Sequence, residues 1–188
     1  ALRRTSGRRD LGDDPRAWTD WLVAAYPQAA ARLGGGDGVD LDAWRRRLAA
    51  VDWSAGDAGR GAELYERIAC AGCHSAARAL GPDLRGVAAR FSRDDLFTAI
   101  VAPSRDVSPR YQTTLIATGD GKLYQGMIVY EAVDGLLLQT GLDETVRIGG
   151  EQVAARRVTQ ASLMPAGLLD SLSDREIADL YAYLKELR

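Results

Sequence analysis

The spacing of apolar residues predicts an amphipathic helix that begins after residue 173. Apolar side chains recur there at i, i+3, i+4 and i+7, the repeat of one helix face: Ile177, Leu180, Tyr181 and Leu184. Ser173 and Glu176 precede this stripe at the spacing of a capping box, S-x-x-E. The sequence therefore predicts both the start of this helix and the face that it buries.

A further helix is predicted over about 58–69, with Asp57 near its N-cap. Leu64 and Tyr65 belong to its apolar stripe. Gly61 lies one turn before Tyr65, and a position without a side chain would let another helix approach closely there.

Residues 1–55 predict an N-terminal helical arm. Asp14 and Pro15 suit the N-cap and the first position of a helix. A second helix starts at Asp40 and carries an apolar stripe of Trp44, Leu48 and Val51. We interpret the arm as the tail of a preceding domain. Its tryptophans packing on the main domain, or on each other, is the alternative.

Residues 56–188 predict the main domain, which is mainly helical but contains a different pattern at about 110–160. Five short segments there are rich in β-formers, and they begin at Tyr111, Leu123, Leu136, Thr145 and Val153. Asp134-Gly135 between two of them is a hairpin signal. We predict a small antiparallel sheet or barrel inserted into the helical domain.

Glycine and proline mark one turn and the end of one short helix in this domain. Leu80-Gly81-Pro82-Asp83-Leu84 predicts a tight turn. After it, Ser92 opens a short helix that carries Leu96 and Phe97, and Pro103 closes it.

Composition places the chain among ordinary globular proteins. Of its 188 residues, 46% are hydrophobic and 27% are charged, enough to build a core without disulfides. The net charge of -2 gives no indication of a nucleic-acid partner. No apolar run reaches the roughly 18 residues of a spanning helix, so no transmembrane segment is predicted.

The strongest chemical signal is one pentapeptide, Cys70-Ala71-Gly72-Cys73-His74, which holds both cysteines and the single histidine of the chain. This is the C-x-x-C-H pattern of c-type haem attachment. Two thiols add to the two vinyl groups of the porphyrin, and the histidine that follows gives its Nε2 to iron. The motif predicts haem c held by Cys70 and Cys73, with His74 as an iron ligand.

Three other uses of these residues are less consistent with the sequence. A structural zinc site needs four ligands, so carboxylates would have to join the pentapeptide. A redox C-x-x-C leaves His74 without a role, and no β-α-β pattern surrounds the motif. A disulfide across two residues would be strained.

Two methionines are candidates for a second axial ligand. Met127 sits within a predicted strand, where a thioether in the core is the ordinary interpretation. Met164 lies in Ser162-Leu163-Met164-Pro165, a non-repetitive stretch shortly before the last predicted helix, as the distal methionine of c-type cytochromes does. We therefore predict Met164 as the sixth ligand, with iron held by His74 and Met164.

Several motifs in order resemble the haem-binding, c-type cytochrome domain of large multidomain planctomycete and verrucomicrobial proteins. The resemblance covers about 57–187 and rests on Gly61-x-x-Leu64-Tyr65, Cys70-Ala71-Gly72-Cys73-His74, Gly81-Pro82-Asp83-Leu84, Pro103-Ser104, Tyr111-Gln112-Thr113-Thr114, Asp120-Gly121, Gly126 and Ser162-Leu163-Met164-Pro165.

This resemblance implies a class I-like cytochrome c fold with an inserted antiparallel β-module between the axial ligands. It implies thioether bonds at Cys70 and Cys73, His74 as proximal ligand and Met164 as distal ligand. It also implies that the backbone carbonyl of Pro82 accepts a hydrogen bond from His74. The parent proteins often carry the domain after a dehydrogenase-like β-propeller and helical repeats.

The leading functional hypothesis is single-electron transfer outside the cytoplasm, with electrons accepted from an associated dehydrogenase, so the domain itself is not expected to be an enzyme. The alternatives are a haem-based sensor of gases with a displaceable Met164, and catalysis at haem. Candidates for contacts to the haem propionates are Arg90, Arg105, Arg110 and Tyr111. The β-module is expected to cover part of the haem edge; a decoration of the core is the alternative.

Overall fold

A computed structural model describes residue 21, residues 37–75 and residues 80–188. The helix predicted from Asp14, and with it most of the predicted arm before residue 37, lies outside the described residues. The chain forms two compact units, a helical unit of Asp37–Asp106 with Met164–Arg188, and a sheet unit that includes Val107–Leu163.

The helical unit contains six α-helices among its described residues. They are α1 (Leu41–Ala50), α2 (Ala58–Arg67), α3 (Cys70–Cys73), α4 (Val87–Arg90), α5 (Arg93–Val101) and α6 (Asp174–Glu186). A 3-10 turn, Trp53–Ala55, connects α1 to the segment before α2.

Side-chain caps fix where these helices begin. The Asp40 carboxylate accepts the backbone N–H groups of Asp42 and Ala43 at the start of α1. At α6, Ser173 and Glu176 form the reciprocal capping box that the sequence predicted. Such caps satisfy N–H groups that have no partner within the helix, and each stabilises its helix by roughly 1 kcal/mol.

Helix α6 is in direct backbone contact with two glycines, Gly61 in α2 and Gly56 just before α2. A Cβ atom on Gly61 would lie 2.1 Å from the carbonyl oxygen of Asp179, and one on Gly56 would lie 2.4 Å from that of Ala178. No side chain fits at either distance. The close approach expected at Gly61 is therefore present, and its partner is α6.

A buried carboxylate joins the same two helices. Asp179 on α6 is 2% exposed. It accepts the backbone N–H of Asp57 at 2.7 Å and two hydrogen bonds from the Arg60 guanidinium, at 2.7 and 2.8 Å. These bonds, chiefly the one from Arg60, lower the pKa of Asp179 from its ordinary value. The pair connects the start of α2 to the middle of α6.

One apolar core fills the helical unit. Its fully buried members include Phe97, Ile177 and Leu180. Leu48 and Val51 from the α1 segment belong to the same core, with Trp44 and Trp53 packed against it. The apolar face of α1 is thus buried within this unit, and the division of the chain at residue 55 stays a prediction.

The sheet unit contains five antiparallel strands in the order β4-β3-β2-β1-β5. They are β1 (Gln112–Thr118), β2 (Leu123–Ala132), β3 (Gly135–Gln139), β4 (Thr145–Gly149) and β5 (Val153–Ser162). All five lie where the sequence predicts strands. The hairpin between β2 and β3 turns at Val133 and Asp134, and Gly135 already pairs with Ala132.

The sheet curls around its own small core. Ile116 on β1, Leu138 on β3 and Ile148 on β4 pack in one cluster, although β1 and β4 are separated by two strands in the sheet. The strand β2 allows this by pairing with β1 through its first part and with β3 through its second, with a register shift between Ile128 and Tyr130.

Candidate haem-binding site

The C-x-x-C-H pentapeptide occupies a single helical turn that follows a sharp change of direction. Ala69 has φ 61° and ψ 22°, a left-handed conformation that is uncommon for a residue with a Cβ. Cys70 then begins α3, and the backbone N–H of His74 donates to the carbonyl of Cys70 at 3.0 Å. Residues three apart share a helix face, so one side of this turn carries both thiols.

Cys70 is half-buried and packs against the core of the helical unit. Burial raises the pKa of its thiol to about 11, and the neighbouring Cys73 and Glu66 add to the shift. The Cys70 side chain is therefore a neutral thiol at pH 7.

The His74 imidazole has a fixed tautomer. Its Nδ1 lies 2.8 Å from the carbonyl oxygen of Pro82. A carbonyl can only accept, so Nδ1 carries the proton and donates it. In a neutral imidazole this leaves the lone pair on Nε2, the form in which histidine binds a metal. The contact that the resemblance implied for Pro82 is present.

Gly81 makes room for the imidazole ring. A Cβ on Gly81 would lie 2.6 Å from Cε1 and 2.7 Å from Nδ1 of His74. The backbone N–H of Gly81 also donates to the Cys73 carbonyl at 3.0 Å. The sequence predicts only that Gly81 belongs to a turn. Its contact with the His74 ring, seven residues earlier, forms only when the chain folds.

The turn that carries Pro82 is held by two arginines. Arg90, from α4, donates to the Asp83 carbonyl at 2.9 Å. The Asp83 carboxylate accepts the backbone N–H of Arg85 at 2.9 Å and the Arg85 guanidinium, and these bonds lower the pKa of Asp83 to about 2. Arg90 was a candidate for a propionate contact; its guanidinium here supports the residue next to Pro82.

The two methionines lie in different units. Met164 is half-buried, in a non-repetitive segment before α6, and belongs to the helical unit together with Cys70 and His74. Met127 is 8% exposed and pairs with Gln139 within the sheet. This burial agrees with the interpretation of Met127 as a side chain of the core.

The donor set fits a covalently bound haem. Two thiols on one helical turn provide the two sulfur atoms that haem c requires, and the contact of His74 Nδ1 with Pro82 leaves Nε2 as the nitrogen that can bind iron. Gly81 leaves space for this ring orientation. In the parts of the chain that the structure describes, no group of three or more His, Cys, Asp or Glu side chains is placed to hold a metal ion by itself.

The remaining candidates for propionate contacts are divided between the two units. Arg105 belongs to the helical unit, whereas Arg110 and Tyr111 begin the sheet unit. Arg110 lies over the Tyr111 ring, 5.7 Å from its centroid.

None of the helices that the structure describes is both long and apolar enough to cross a bilayer.

Comparison with known families gives one match, over residues 56–122, to the family described as cytochrome c oxidase, cbb3-type, subunit III. The matched segment contains α2, α3, α4, α5 and β1, with the pentapeptide and the turn at Pro82, and it ends before Met164. No curated protein matches the chain. The segment around Cys70-Ala71-Gly72-Cys73-His74 is therefore similar to a cytochrome c-type domain, and this similarity supports a haem-binding cytochrome domain in the chain.

Proposed function

We propose that the chain is an electron-transfer protein with a class I-like cytochrome c domain. Haem c is attached to Cys70 and Cys73, iron is held by His74 and Met164, and electrons arrive singly from an associated dehydrogenase. The observation that carries this proposal is the hydrogen bond between His74 Nδ1 and the Pro82 carbonyl, 2.8 Å long, in a histidine that directly follows C-x-x-C.

The chain's own residues have distinct roles in this proposal. When bound, haem supplies a centre that gains and loses one electron. Each thiol adds across a vinyl group, with sulfur bonding to one carbon and hydrogen to the other, so attachment needs no external oxidant. Pro82 orients the imidazole and raises the basicity of Nε2 through the Nδ1–H bond.

The resemblance to domains that follow dehydrogenase-like β-propellers motivates the choice of electron donor. Cytochromes of this type are assembled outside the cytoplasm, so we place this domain there too. Expression in the cytoplasm without haem-attachment machinery is then expected to give apoprotein. Full covalent loading under those conditions would contradict the assignment of compartment.

Covalent attachment is tested by co-expression with haem-attachment machinery, followed by denaturation and measurement of haem absorbance on the unfolded chain. The wild-type chain should retain haem, and the double variant Cys70→Ala, Cys73→Ala should lose it. Haem that stays bound to the double variant, or a wild-type chain that releases all its haem, would overturn the proposal.

The distal ligand is tested by a matched pair of methionine variants. Met164→Ala should remove the sulfur-to-iron absorption band of the oxidised protein. Met127→Ala should keep that band but destabilise the sheet by about 2–5 kcal/mol, because it deletes a buried side chain. Loss of the band in Met127→Ala alone would show that the assignment to Met164 is wrong.

A further inference from the structure

The backbone before Pro82 is fixed by a contact with the pentapeptide. The backbone N–H of Gly81 donates to the Cys73 carbonyl at 3.0 Å. The ring of Pro82 then locks its own φ at about −65°. Neither constraint fixes ψ of Pro82, the rotation that aims its carbonyl towards His74 Nδ1 or away from it.

The next carbonyl along the chain is held by Arg90. Its guanidinium donates to the Asp83 carbonyl at 2.9 Å. The Pro82 and Asp83 carbonyls belong to consecutive peptide groups, each planar and joined to the other only at the Asp83 Cα. A contact that fixes the second peptide group therefore limits the orientation of the first. With Gly81 anchored on one side and Asp83 on the other, the Pro82 carbonyl keeps its direction towards His74.

Arg90 is carried by an anchored helix. It is the last residue of α4, and the first residue of that helix, Val87, is 3% exposed in the core of the helical unit. Gly86, just before α4, donates its backbone N–H to the Leu187 carbonyl at 2.7 Å, which connects α4 to the end of α6. All of these residues belong to the helical unit, as His74 does.

The second arginine near this turn, Arg85, makes a different contact. Its Nε donates to the Asp83 carboxylate at 2.8 Å, and its backbone N–H donates to the same carboxylate at 2.9 Å. Arg85 therefore holds the side chain of Asp83, whereas Arg90 holds its main chain. Because the two arginines carry the same charge next to the same residue, Arg85 separates the effect of charge from the effect of positioning.

We infer that Arg90 is a positioning residue for His74, acting through the Asp83 main chain and the Pro82 carbonyl. This inference rests on the proposed function, since it concerns the histidine that binds haem iron. A well-aimed Pro82 carbonyl strengthens the Nδ1–H bond and makes Nε2 a better electron donor, which favours ferric over ferrous iron. Arg90 thereby lowers the midpoint potential, whereas the charge of a cation beside haem acts in the opposite direction.

The test uses the full, haem-loaded chain and Arg90→Met, which keeps an unbranched side chain and removes the guanidinium. Proton NMR of the reduced protein measures how fast the His74 Nδ1 proton exchanges with deuterium. Exchange follows local opening of the hydrogen bond, so the loss of a supporting hydrogen bond should accelerate it about tenfold. Arg85→Met is the matched control. Its Nδ1 proton should exchange at the wild-type rate, and its midpoint potential should lie below that of Arg90→Met.

A contact between Arg90 and a haem propionate is the competing role. Loss of such a contact would leave the exchange of the Nδ1 proton unchanged in Arg90→Met. It would also bring the midpoint potential of Arg90→Met below that of Arg85→Met and make it depend on pH, because the propionate would titrate. This result would overturn the inference. Equally accelerated exchange in Arg85→Met would overturn it too, since it would show a general loosening of the turn.

If Arg90→Met does not fold, Arg90→Gln decides in the same way, because its shorter side chain ends before the Asp83 carbonyl. The proposed function fails separately, when the wild-type chain carries no covalent haem. The inference fails alone when haem is attached and the Arg90 variant exchanges the Nδ1 proton as wild type does.

Discussion

Gly81 shows how one absent side chain sets the geometry of a ligand. The atoms nearest to a Cβ there belong to the His74 ring, at 2.6 and 2.7 Å, so the ring packs on bare backbone. The residue's importance comes from this tertiary contact. The sequence pattern predicts the turn at Gly81, but it does not predict that the His74 side chain packs against that turn.

We expect Gly81→Ala to displace the imidazole and break the Nδ1 to Pro82 bond. The methyl group would overlap Cε1 of His74, and relieving such overpacking costs about 1–3 kcal/mol. Chemical denaturation should report that loss, and the haem spectrum should change with it.

Gly86→Ala is the comparison variant for this position. Gly86 has φ 65°, so alanine is strained there by about 1–2 kcal/mol, yet no atom lies within 4 Å of its Cβ position. It should lose stability and keep the wild-type haem spectrum. An unchanged spectrum in Gly81→Ala as well would contradict the steric role of Gly81.

At the scale of helices, the α2–α6 crossing depends on Gly61. A Cβ there meets backbone atoms of α6, the oxygen of Asp179 at 2.1 Å, which cannot rotate away. We expect Gly61→Ala to destabilise the helical unit by about 3 kcal/mol, the upper end for overpacked sites. Thermal unfolding followed by circular dichroism measures this.

Gly59 on the same helix provides the control. Its Cβ would meet only the Asp57 carboxylate, at 3.3 Å. Because alanine is favoured over glycine in a helix by roughly 1 kcal/mol, Gly59→Ala should keep or raise the stability. A similar loss in both variants would mean that helix propensity, and not the crossing, determines the result.

The buried carboxylate at this crossing makes stability depend on pH. The pKa of Asp179 is lower in the folded chain than the ~3.9 of an unfolded aspartate. The ionised Asp179 carboxylate therefore contributes its full stabilisation well above pH 4. This stabilisation is lost as the pH falls through the pKa of Asp179 in the folded chain. Asp179→Asn should reduce stability at pH 7 by about 1.5–3 kcal/mol, as expected for hydrogen bonds to a charged group.

Denaturation between pH 7 and pH 2 measures this dependence. Below pH 4, the free energy of unfolding should fall less steeply with decreasing pH in Asp179→Asn than in wild type. Asp94→Asn, at a side chain that is 83% exposed, should follow the wild-type curve. An equally steep fall in Asp179→Asn and in wild type would contradict the role of Asp179 in this pH dependence.

The elements that the sequence predicts are those with local signals. The caps at Asp40, Ser92 and Ser173 and the apolar stripe of α6 all lie within a few residues of the helix starts that they define. The last part of β5 lacks such a signal, because the bulge at 159–161 breaks the alternation of a strand. The sequence left open whether the arm packs on the main domain, because that packing depends on contacts far along the chain.

At the scale of the whole molecule, each unit contains its own core, centred on Phe97 and Ile177 in one and on Ile116 and Leu138 in the other. We therefore expect the helical unit to fold after residues 107–163 are replaced by a Gly/Ser linker. It should also keep covalent haem, because Cys70, Cys73 and His74 all belong to the helical unit.

Circular dichroism, and haem absorbance measured on the denatured chain, check both parts of this expectation. Loss of helical structure in the shortened chain would show that the two cores depend on each other. Haem that leaves the shortened chain on denaturation would show that the helical unit alone is not loaded covalently.

The helical unit is discontinuous along the chain, and this determines the order in which it can be completed during synthesis. Cys70 and Ala71 pack against a core that takes Ile177, Leu180 and Leu184 from α6. Residues 107–163 of the sheet unit are translated between these two parts. A nascent chain therefore exposes the Cys70 thiol before the helix that completes the surrounding core exists. We expect this delay to leave a period in which attachment enzymes can reach Cys70 and Cys73.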